Sequence, residues 1–272
     1  MDKTLYITDL DGTLLGSNQE VSAFTADAIN ALVRRGMAFS YATARSIHTA
    51  AKVTRTITAS LPAIVYNGAF IVDHRTGKPL FSNYFSAGDI QAIRAALAAA
   101  QLQPIVYAHS GSAETFSYLS GHMSAGAEEF LSTRRGDPRS TPVECADALY
   151  AGQVFYFTCI DDAAKLYPVY ERLRRDFSCV YQKDTYSDHQ WLEILPQNAN
   201  KATAAQKLKE LLGCRKIISF GDGKNDLPLF LISDECYAVS NADPALKAAA
   251  TAVLGTNDDD CVAKWLLKHA AF

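Results

Sequence analysis

The sequence predicts an α/β protein whose core is a Rossmann-like, doubly wound parallel sheet, with an α+β domain inserted into it. Strand and helix patterns alternate at both ends of the chain, which is typical of a parallel sheet covered by helices on both faces. The middle of the chain instead carries strands rich in aromatic residues that follow one another in pairs. We therefore expect residues 1–84 and 197–272 to form the core and residues 85–196 to form the inserted domain.

The first half of the core is expected to contain three strands and two helices before a hairpin. Ser22 is a favourable N-cap for the first helix, and Gly36 ends that helix. Asn67-Gly68 predicts a turn, and Thr76-Gly77 predicts the tight end of a hairpin. The expected elements are a strand at 4–8, a helix at 23–35, a strand at 37–45, a helix at 48–59, a strand at 63–67, and hairpin arms at 69–73 and 78–85.

The inserted domain opens with an alanine-rich helix pattern, and Gly111 marks the turn between its first two strands. Its expected elements are a helix at 88–101, strands at 104–109, 115–120 and 152–160, a helix at 162–177, and strands at 178–184 and 189–196. The rest of the core returns to alternation, with a helix at 201–213, a strand at 216–222, a helix at 225–233, a strand at 236–241 and a helix at 261–271.

The composition is that of a soluble globular protein, since 49% of the 272 residues are apolar, 20% are charged, and the mean hydropathy is −0.04. A formal net charge of −3 gives no general attraction to nucleic acid or to anionic membrane, so we expect neither partner. The six cysteines are scattered without a C-x-x-C pair, which favours a reducing compartment over a zinc site. No apolar run has the length of a signal peptide or a membrane span, and we expect a cytoplasmic monomer or weak homo-oligomer.

Polar residues follow several of the expected strands or begin the next helix. Because the carboxyl ends of parallel strands meet along one edge of a sheet, these residues can converge despite their separation in sequence. They are Asp9 and Asp11 after the first strand, Thr43 and Arg45 at the end of the second, Lys201 at the start of a helix, Asp222 at the end of a later strand, and Asn225 and Asp226 just beyond it.

The charges of these residues predict a metal ion. Four aspartates face the single positive charge of Lys201. Two carboxylates about 4 Å apart repel by roughly 4 kcal/mol at an effective dielectric of about 20, and one lysine cannot offset several such pairs. Mg²⁺ binds carboxylate, carbonyl and water oxygens and therefore fits the cluster. Mg²⁺ beside a lysine and a threonine makes a receptor for a phosphoryl group, and an ionised aspartate there can act as the nucleophile.

Four motifs, in this order and spacing, carry a resemblance to a known family: DLDGT at 9–13, ATAR at 42–45, NANKATAA at 198–205 and GDGKND at 221–226. With them the chain resembles the haloacid dehalogenase superfamily, and its insert resembles the large class IIB cap domain of the Cof-like phosphatases. The resemblance covers essentially the whole chain. It implies a Mg²⁺-dependent phosphatase acting on a small phosphorylated metabolite, with sugar phosphates as the first candidates.

The resemblance implies that Asp9 attacks phosphorus, forms an aspartyl phosphate and gives an oxygen to Mg²⁺. It implies that Asp11 protonates the leaving oxygen, then activates water, and offers its backbone carbonyl to the metal. Families of this type often have glycine where Ala44 and Ala202 stand in this chain. Both replacements are small, and we expect neither to abolish activity.

The same resemblance implies that Thr43 and Lys201 bind the phosphoryl oxygens and that Lys201 also holds Asp9. Asp222 is implied to be the direct carboxylate ligand of Mg²⁺, with Asn225 and Asp226 supporting the metal site.

Structural interpretations compete with these roles at four positions. Thr43 can cap the following helix, and Arg45 can form a salt bridge rather than contact substrate. Lys201 can be a solvated residue of the first helical turn, although a cation there is disfavoured by the helix dipole. Asp226 can be a favourable N-terminal helix charge outside the site.

The inserted domain also offers candidates for recognition of the substrate's leaving group, although packing or exposure is the simpler interpretation. They are Tyr107, His109, Tyr118, His122, Arg134 and Arg135. Two other functions use similar residues. A phosphomutase returns the phosphoryl group instead of passing it to water, and a phospho-receiver protein keeps the aspartate, threonine, lysine and Mg²⁺ but needs neither Asp11 nor a cap.

Overall fold

The computed structural model describes residues 3–58, 62–111, 113–183 and 189–272, and the chain divides into two compact units. The first comprises Met1–Ser82 and Ala199–Phe272, and the second comprises Asn83–Asn198. The insert expected at residues 85–196 lies within the second unit. Within the described ranges, no helix is both long enough and apolar enough to cross a bilayer.

The N-terminal part of the first unit alternates strands and helices and then forms a small antiparallel sheet. The Ser22 side chain accepts a hydrogen bond from the Thr25 amide and so caps the first helix, as expected. The elements are β1 Thr4–Thr8, α1 Ala23–Arg34, β2 Ala38–Tyr41, α2 Ile47–Val53, β3 Ala63–Val65, β4 Phe70–Val72 and β5 Pro79–Ser82.

The second unit is an α+β domain built on a six-stranded sheet. Its elements are α3 Ala87–Ala99, β6 Ile105–Ser110, β7 Ala113–Leu119, α4 Ala125–Ser132, β8 Ser140–Val143, β9 Gln153–Asp161, α5 Ala163–Leu173, β10 Ser178–Lys183 and β11 Gln190–Leu195. The strand order is β10-β11-β9-β6-β7-β8, and all neighbours are antiparallel except β7 and β8. Apolar residues of α3 and α5 pack with those of the sheet in one buried cluster.

Helix α4 and strand β8 were not among the expected elements. The sequence of α4, AGAEEFLS, is short and includes Gly126, so its helical pattern is weak, although Ser124 caps it. Strand β8 contains Pro142 and lies at the edge of the sheet, where proline is tolerated. In both places local sequence signals are weaker than the tertiary packing that determines the structure.

The C-terminal part of the first unit completes the core sheet. Its elements are α6 Lys201–Leu211, β12 Lys216–Gly221, α7 Leu227–Ile232, β13 Glu235–Ala238, α8 Pro244–Ala249, β14 Ala252–Val253 and α9 Cys261–His269. The strand order is β14-β13-β12-β1-β2, and every pair is parallel. All five residues of β1 are buried, as in a strand covered on both faces. The predicted α/β fold with a parallel core sheet is confirmed.

Several expected elements of the N-terminal half end earlier than predicted: the strand expected at 37–45 ends at Tyr41, and the hairpin arm expected at 78–85 ends at Ser82. The strand expected at 63–67 ends at Val65 and pairs antiparallel with β4, and a single parallel bridge joins Ala42 to Ile64. The helix expected at 48–59 ends at Val53, where the Thr54 hydroxyl donates to the Ala50 carbonyl before a β-branched stretch that disfavours helix. Position 59 of that expected helix lies outside the described residues.

Candidate active site

The carboxyl end of β1 places Asp9 beside the neighbouring strand β12. The Asp9 amide donates to the Phe220 carbonyl at 2.9 Å, which extends the pairing of the two strands by one residue. Its side chain is buried, and its Oδ1 lies 2.9 Å from Lys201 Nζ. Strand pairing therefore fixes the backbone of Asp9, and the lysine orients its carboxylate.

Lys201 is the first residue of α6, and its ammonium group is buried between two carboxylates. The residue is 1% exposed, and Nζ lies 2.6 Å from Asp226 Oδ1 as well as close to Asp9. Burial alone lowers the pKa of Lys201, but the carboxylates of Asp226 and Asp9 raise that pKa above its ordinary value. Lys201 is thus a fixed positive charge in the site, and the interpretation of a solvated lysine is wrong.

Asp226 uses both of its carboxylate oxygens within the protein. Oδ1 binds Lys201, and Oδ2 accepts hydrogen bonds from the backbone amides of Asp222 at 3.1 Å and Gly223 at 3.0 Å. The residue is fully buried. Asp226 therefore belongs to the cluster and holds both the lysine and the loop after β12.

Asp222 follows β12 and is held by the loop after β1. Its Oδ1 accepts a hydrogen bond from the Thr13 hydroxyl at 2.9 Å. Gly12 has a φ of +71°, and a Cβ at this position would overlap the Asp222 carboxylate, so the site needs glycine there. Thr13 had no assigned role in the sequence interpretation, although it lies within the first motif.

Three carboxylates form a group that could hold a metal ion: Asp9, Asp222 and Asp226 each offer an oxygen within 4.8 Å of the others. Burial raises the pKa of Asp9 well above its ordinary value; Lys201 lowers it, and neighbouring carboxylates raise it again. Burial and Asp226 raise the pKa of Asp222 to about 7. The raised pKa values show that Lys201 alone does not stabilise the ionised forms of all these carboxyl groups, and their hard oxygen donors fit a divalent cation such as Mg²⁺.

Thr43 and Arg45 follow β2. Among the hydrogen bonds of the described residues, Arg45 binds an aspartate of the first motif and Thr43 does not. Thr43 is fully buried, and its hydroxyl accepts a hydrogen bond from the Arg45 amide at 3.1 Å. The N-cap of α2 is Ser46, so the interpretation of Thr43 as the helix cap is wrong. The Arg45 guanidinium forms two hydrogen bonds to the Asp11 carboxylate, which is the salt bridge that the sequence left open.

Asn225 is half-buried in the loop after β12, and its side chain donates to Asn67 Oδ1 at 3.0 Å. Asn67 was interpreted only as part of a turn. Its place in the site was missed because the contact joins residues 158 positions apart. The Asn-Gly pair directly after a buried strand was the only sequence signal for it.

The recognition candidates of the second unit lie on different elements. Tyr107 and His109 belong to β6; Tyr107 is buried, which raises its pKa to about 12, and His109 Nδ1 lies 3.0 Å from the Tyr84 hydroxyl. Tyr118 on β7 lies 3.3 Å from the Ser140 hydroxyl. Arg134 stacks over a phenylalanine ring, and His122 and Arg135 are exposed. Their suggested role in recognition stays a prediction.

Comparison with known proteins now identifies the family. A sequence model of the haloacid dehalogenase-like hydrolases matches residues 6–266. The chain belongs to the haloacid dehalogenase-like hydrolase family.

This haloacid dehalogenase-like hydrolase is similar to a phosphatase along nearly its whole length. It is 27% identical over 278 residues to 5-amino-6-(5-phospho-D-ribitylamino)uracil phosphatase YwtE of Bacillus subtilis, with 95% of each chain covered. It is 23% identical to a longer Arabidopsis thaliana protein, chloroplastic endoribonuclease YBEY; that match covers 96% of this chain but 46% of the relative.

A solved structure has the same fold. The haloacid dehalogenase-like hydrolase from B. subtilis superposes on this chain with a TM-score of 0.80 at 20% identity, covering 98% of this chain and 99% of that one. Family membership, together with relatives named as phosphatases, supports a phosphoric monoester hydrolase.

Proposed function

We propose that this hydrolase is a Mg²⁺-dependent phosphatase that cleaves a small phosphorylated metabolite through an aspartyl phosphate on Asp9. The observation that carries the proposal is the buried Lys201 ammonium in contact with Asp9 and Asp226, beside the carboxylate of Asp222. A buried carboxylate oriented by a lysine at a strand end is placed to act as a nucleophile. The excess negative charge around it calls for a cation.

The proposed reaction has two steps in which Asp9 and Asp11 alternate in role. An Asp9 oxygen attacks phosphorus, the bond from phosphorus to the leaving oxygen breaks, and Asp11 gives that oxygen a proton. A water molecule then gives a proton to Asp11 and attacks phosphorus. The bond between phosphorus and Asp9 breaks, which releases inorganic phosphate and restores both carboxyl groups.

Mg²⁺ would be held by the carboxylates of Asp9 and Asp222 and by the backbone carbonyl of Asp11, and when bound it supplies positive charge to the phosphoryl oxygens. Asp226 is the poorer ligand because Lys201 and two backbone amides already occupy its oxygens. Asp226 instead holds Lys201, and we assign Lys201 and the Thr43 hydroxyl to phosphate binding.

Sugar phosphates are the first substrate class to test. The B. subtilis phosphatase that resembles this chain is named for a compound that carries phosphate on a ribityl chain. The resemblance of the inserted domain to the caps of Cof-like phosphatases also implies a small substrate rather than a polymer.

The test is release of phosphate from p-nitrophenyl phosphate and from a panel of phosphorylated metabolites. We expect turnover with Mg²⁺, none in excess EDTA, and none from Asp9→Asn. Asp27→Asn, which changes an exposed aspartate of α1, is the matched control and should retain full activity. Substantial turnover by Asp9→Asn, or an unchanged rate in EDTA, would refute the mechanism; isomerised product without free phosphate would favour a phosphomutase.

A further inference from the structure

Three consecutive residues between β3 and β4 have a left-handed backbone. Tyr66, Asn67 and Gly68 have φ values of +49°, +50° and +101°. Glycine adopts such values readily and asparagine or aspartate less often, but a tyrosine in this region is uncommon. Tyr66 and Asn67 are also buried, at 4% and 3% exposure. An exposed hairpin turn has no need of this arrangement, so the surrounding structure must hold the segment in place.

The segment Tyr66–Gly68 contacts the loop that follows β2 and the residue that precedes α6. The Tyr66 amide donates to the Arg45 carbonyl at 3.0 Å, and the Asn67 amide donates to the Thr43 carbonyl at 2.9 Å. Gly68 packs so closely on the backbone of Asn200 that a Cβ would overlap it. The segment therefore links the start of α6, whose first residue is Lys201, to the loop that carries Thr43.

The Asn67 side chain extends this link to the loop after β12. Asn225 Nδ2 donates to Asn67 Oδ1 at 3.0 Å, which sets the direction of the Asn225 amide. The carbonyl oxygen of that amide faces the other way: it lies 2.6 Å from where a Cβ on Gly223 would stand, next to Asp222 in the chain. Asn67 thus turns the side-chain oxygen of Asn225, rather than its amino group, towards the backbone next to Asp222.

We propose that Asn67 is a positioning residue of the metal site, acting through Asn225. The inference rests on the proposed function for the identity of the metal. An Asn225 amino group turned towards this loop would repel a cation bound there, whereas an amide oxygen suits Mg²⁺. Residues that orient the groups around a metal typically change its affinity by about 10- to 100-fold when they are replaced.

The test is calorimetric titration of Mg²⁺ into the protein without substrate. Asn67→Gly keeps the left-handed backbone accessible and removes the acceptor, and we expect the Kd for Mg²⁺ to rise about tenfold or more. Asn225→Ala should weaken binding to a similar extent, and the double variant should bind no more weakly than Asn225→Ala alone. Gln101→Gly, at another left-handed residue, is the control and should leave the Kd unchanged.

Asn67→Asp is the second arm, because aspartate tolerates positive φ and keeps an oxygen acceptor for Asn225. It should bind Mg²⁺ at least as tightly as wild type. A Kd within twofold of wild type for Asn67→Gly, additive losses in the double variant, or a tenfold weaker Asn67→Asp would each overturn the assignment. Mg²⁺ binding by wild type without phosphate release from any substrate would instead refute the proposed function, and the Asn67 comparison would still stand.

Discussion

The Arg45 guanidinium binds both carboxylate oxygens of Asp11, with Nε at 2.7 Å from one and Nη2 at 2.6 Å from the other. Both side chains remain partly exposed, at 19% for Arg45 and 24% for Asp11. These two hydrogen bonds orient the carboxyl group that the proposed mechanism uses for proton transfer. Substitution of Arg45 and Asp11, singly and together, therefore shows whether Arg45 acts through Asp11 or contacts the substrate directly.

Arg45→Lys should lower kcat about tenfold, because lysine keeps the positive charge but cannot form both hydrogen bonds to the Asp11 carboxylate. General acid–base catalysis contributes roughly 10²–10⁴-fold to a rate, so a misplaced Asp11 should lose part of that factor. In an Asp11→Asn background the same change should have little further effect. Steady-state kinetics on the four proteins gives the coupling between the two residues. Equal losses in both backgrounds, with a raised KM, would show that Arg45 contacts substrate instead.

Lys201→Met should destabilise the protein strongly. It removes the cation between Asp9 and Asp226 and leaves buried carboxylates uncompensated, a change that costs about 3–5 kcal/mol. Urea unfolding measures the loss. Lys207→Met on the same helix removes an exposed pair with Glu210 and should cost at most about 1 kcal/mol. Equal stability of the two variants would contradict the buried ion pair.

Gly68→Ala should be more destabilising than Gly77→Ala, although both residues have positive φ. Alanine at Gly77 meets no atom within 4 Å, so only the backbone conformation opposes it, at about 1–2 kcal/mol. Alanine at Gly68 adds an overlap with the Asn200 backbone, which costs roughly a further 1–3 kcal/mol. Thermal or urea denaturation of the two variants checks the order, and a smaller loss for Gly68→Ala would refute the close packing.

Stabilisation by Mg²⁺ should increase with pH. Without metal, burial and Asp226 raise the pKa of Asp222 from 3.8 to about 7. A raised folded-state pKa contributes stability at pH values below the unfolded pKa, and that contribution is lost as the pH rises through 7. Mg²⁺ binds the ionised form, so its effect on Tm should be at least about 3 °C larger at pH 8 than at pH 5.5. Thermal scans in Mg²⁺ and in EDTA at both pH values measure this, and an equal shift would argue against Asp222 as a ligand.

The convergence of Asp9 and Asp222 was predictable from sequence because it follows from topology alone. Both aspartates directly follow strands of one parallel sheet, and β1 and β12 prove to be neighbours in that sheet. The buried lysine was predictable for a similar reason, since a cation is disfavoured at a helix N-terminus unless anions face it.

The contacts of Asn67, Thr13 and Arg45 were not predictable in the same way. The Asn-Gly pair predicts a tight turn, but not that the turn is buried or which loops pack on it. Thr13 and Arg45 each bind one particular carboxylate, and such a choice depends on side-chain geometry between loops rather than on strand order. Helix α4 and β8 were missed because their local patterns are weak and their packing is tertiary.

The pairing of β1 with β12 also has a consequence for how the protein is made. Residue 4 of β1 has its partner at residue 216 of β12, so the strand that precedes Asp9 leaves the ribosome about 210 residues before the strand that pairs with it. At about 5–20 residues per second, the interval is roughly 10–40 s. The second unit is contiguous in sequence and emerges whole within that interval. Asp9 can meet Asp222 only after β12 has been made, so a truncated chain that ends before β12 carries the proposed nucleophile without Asp222.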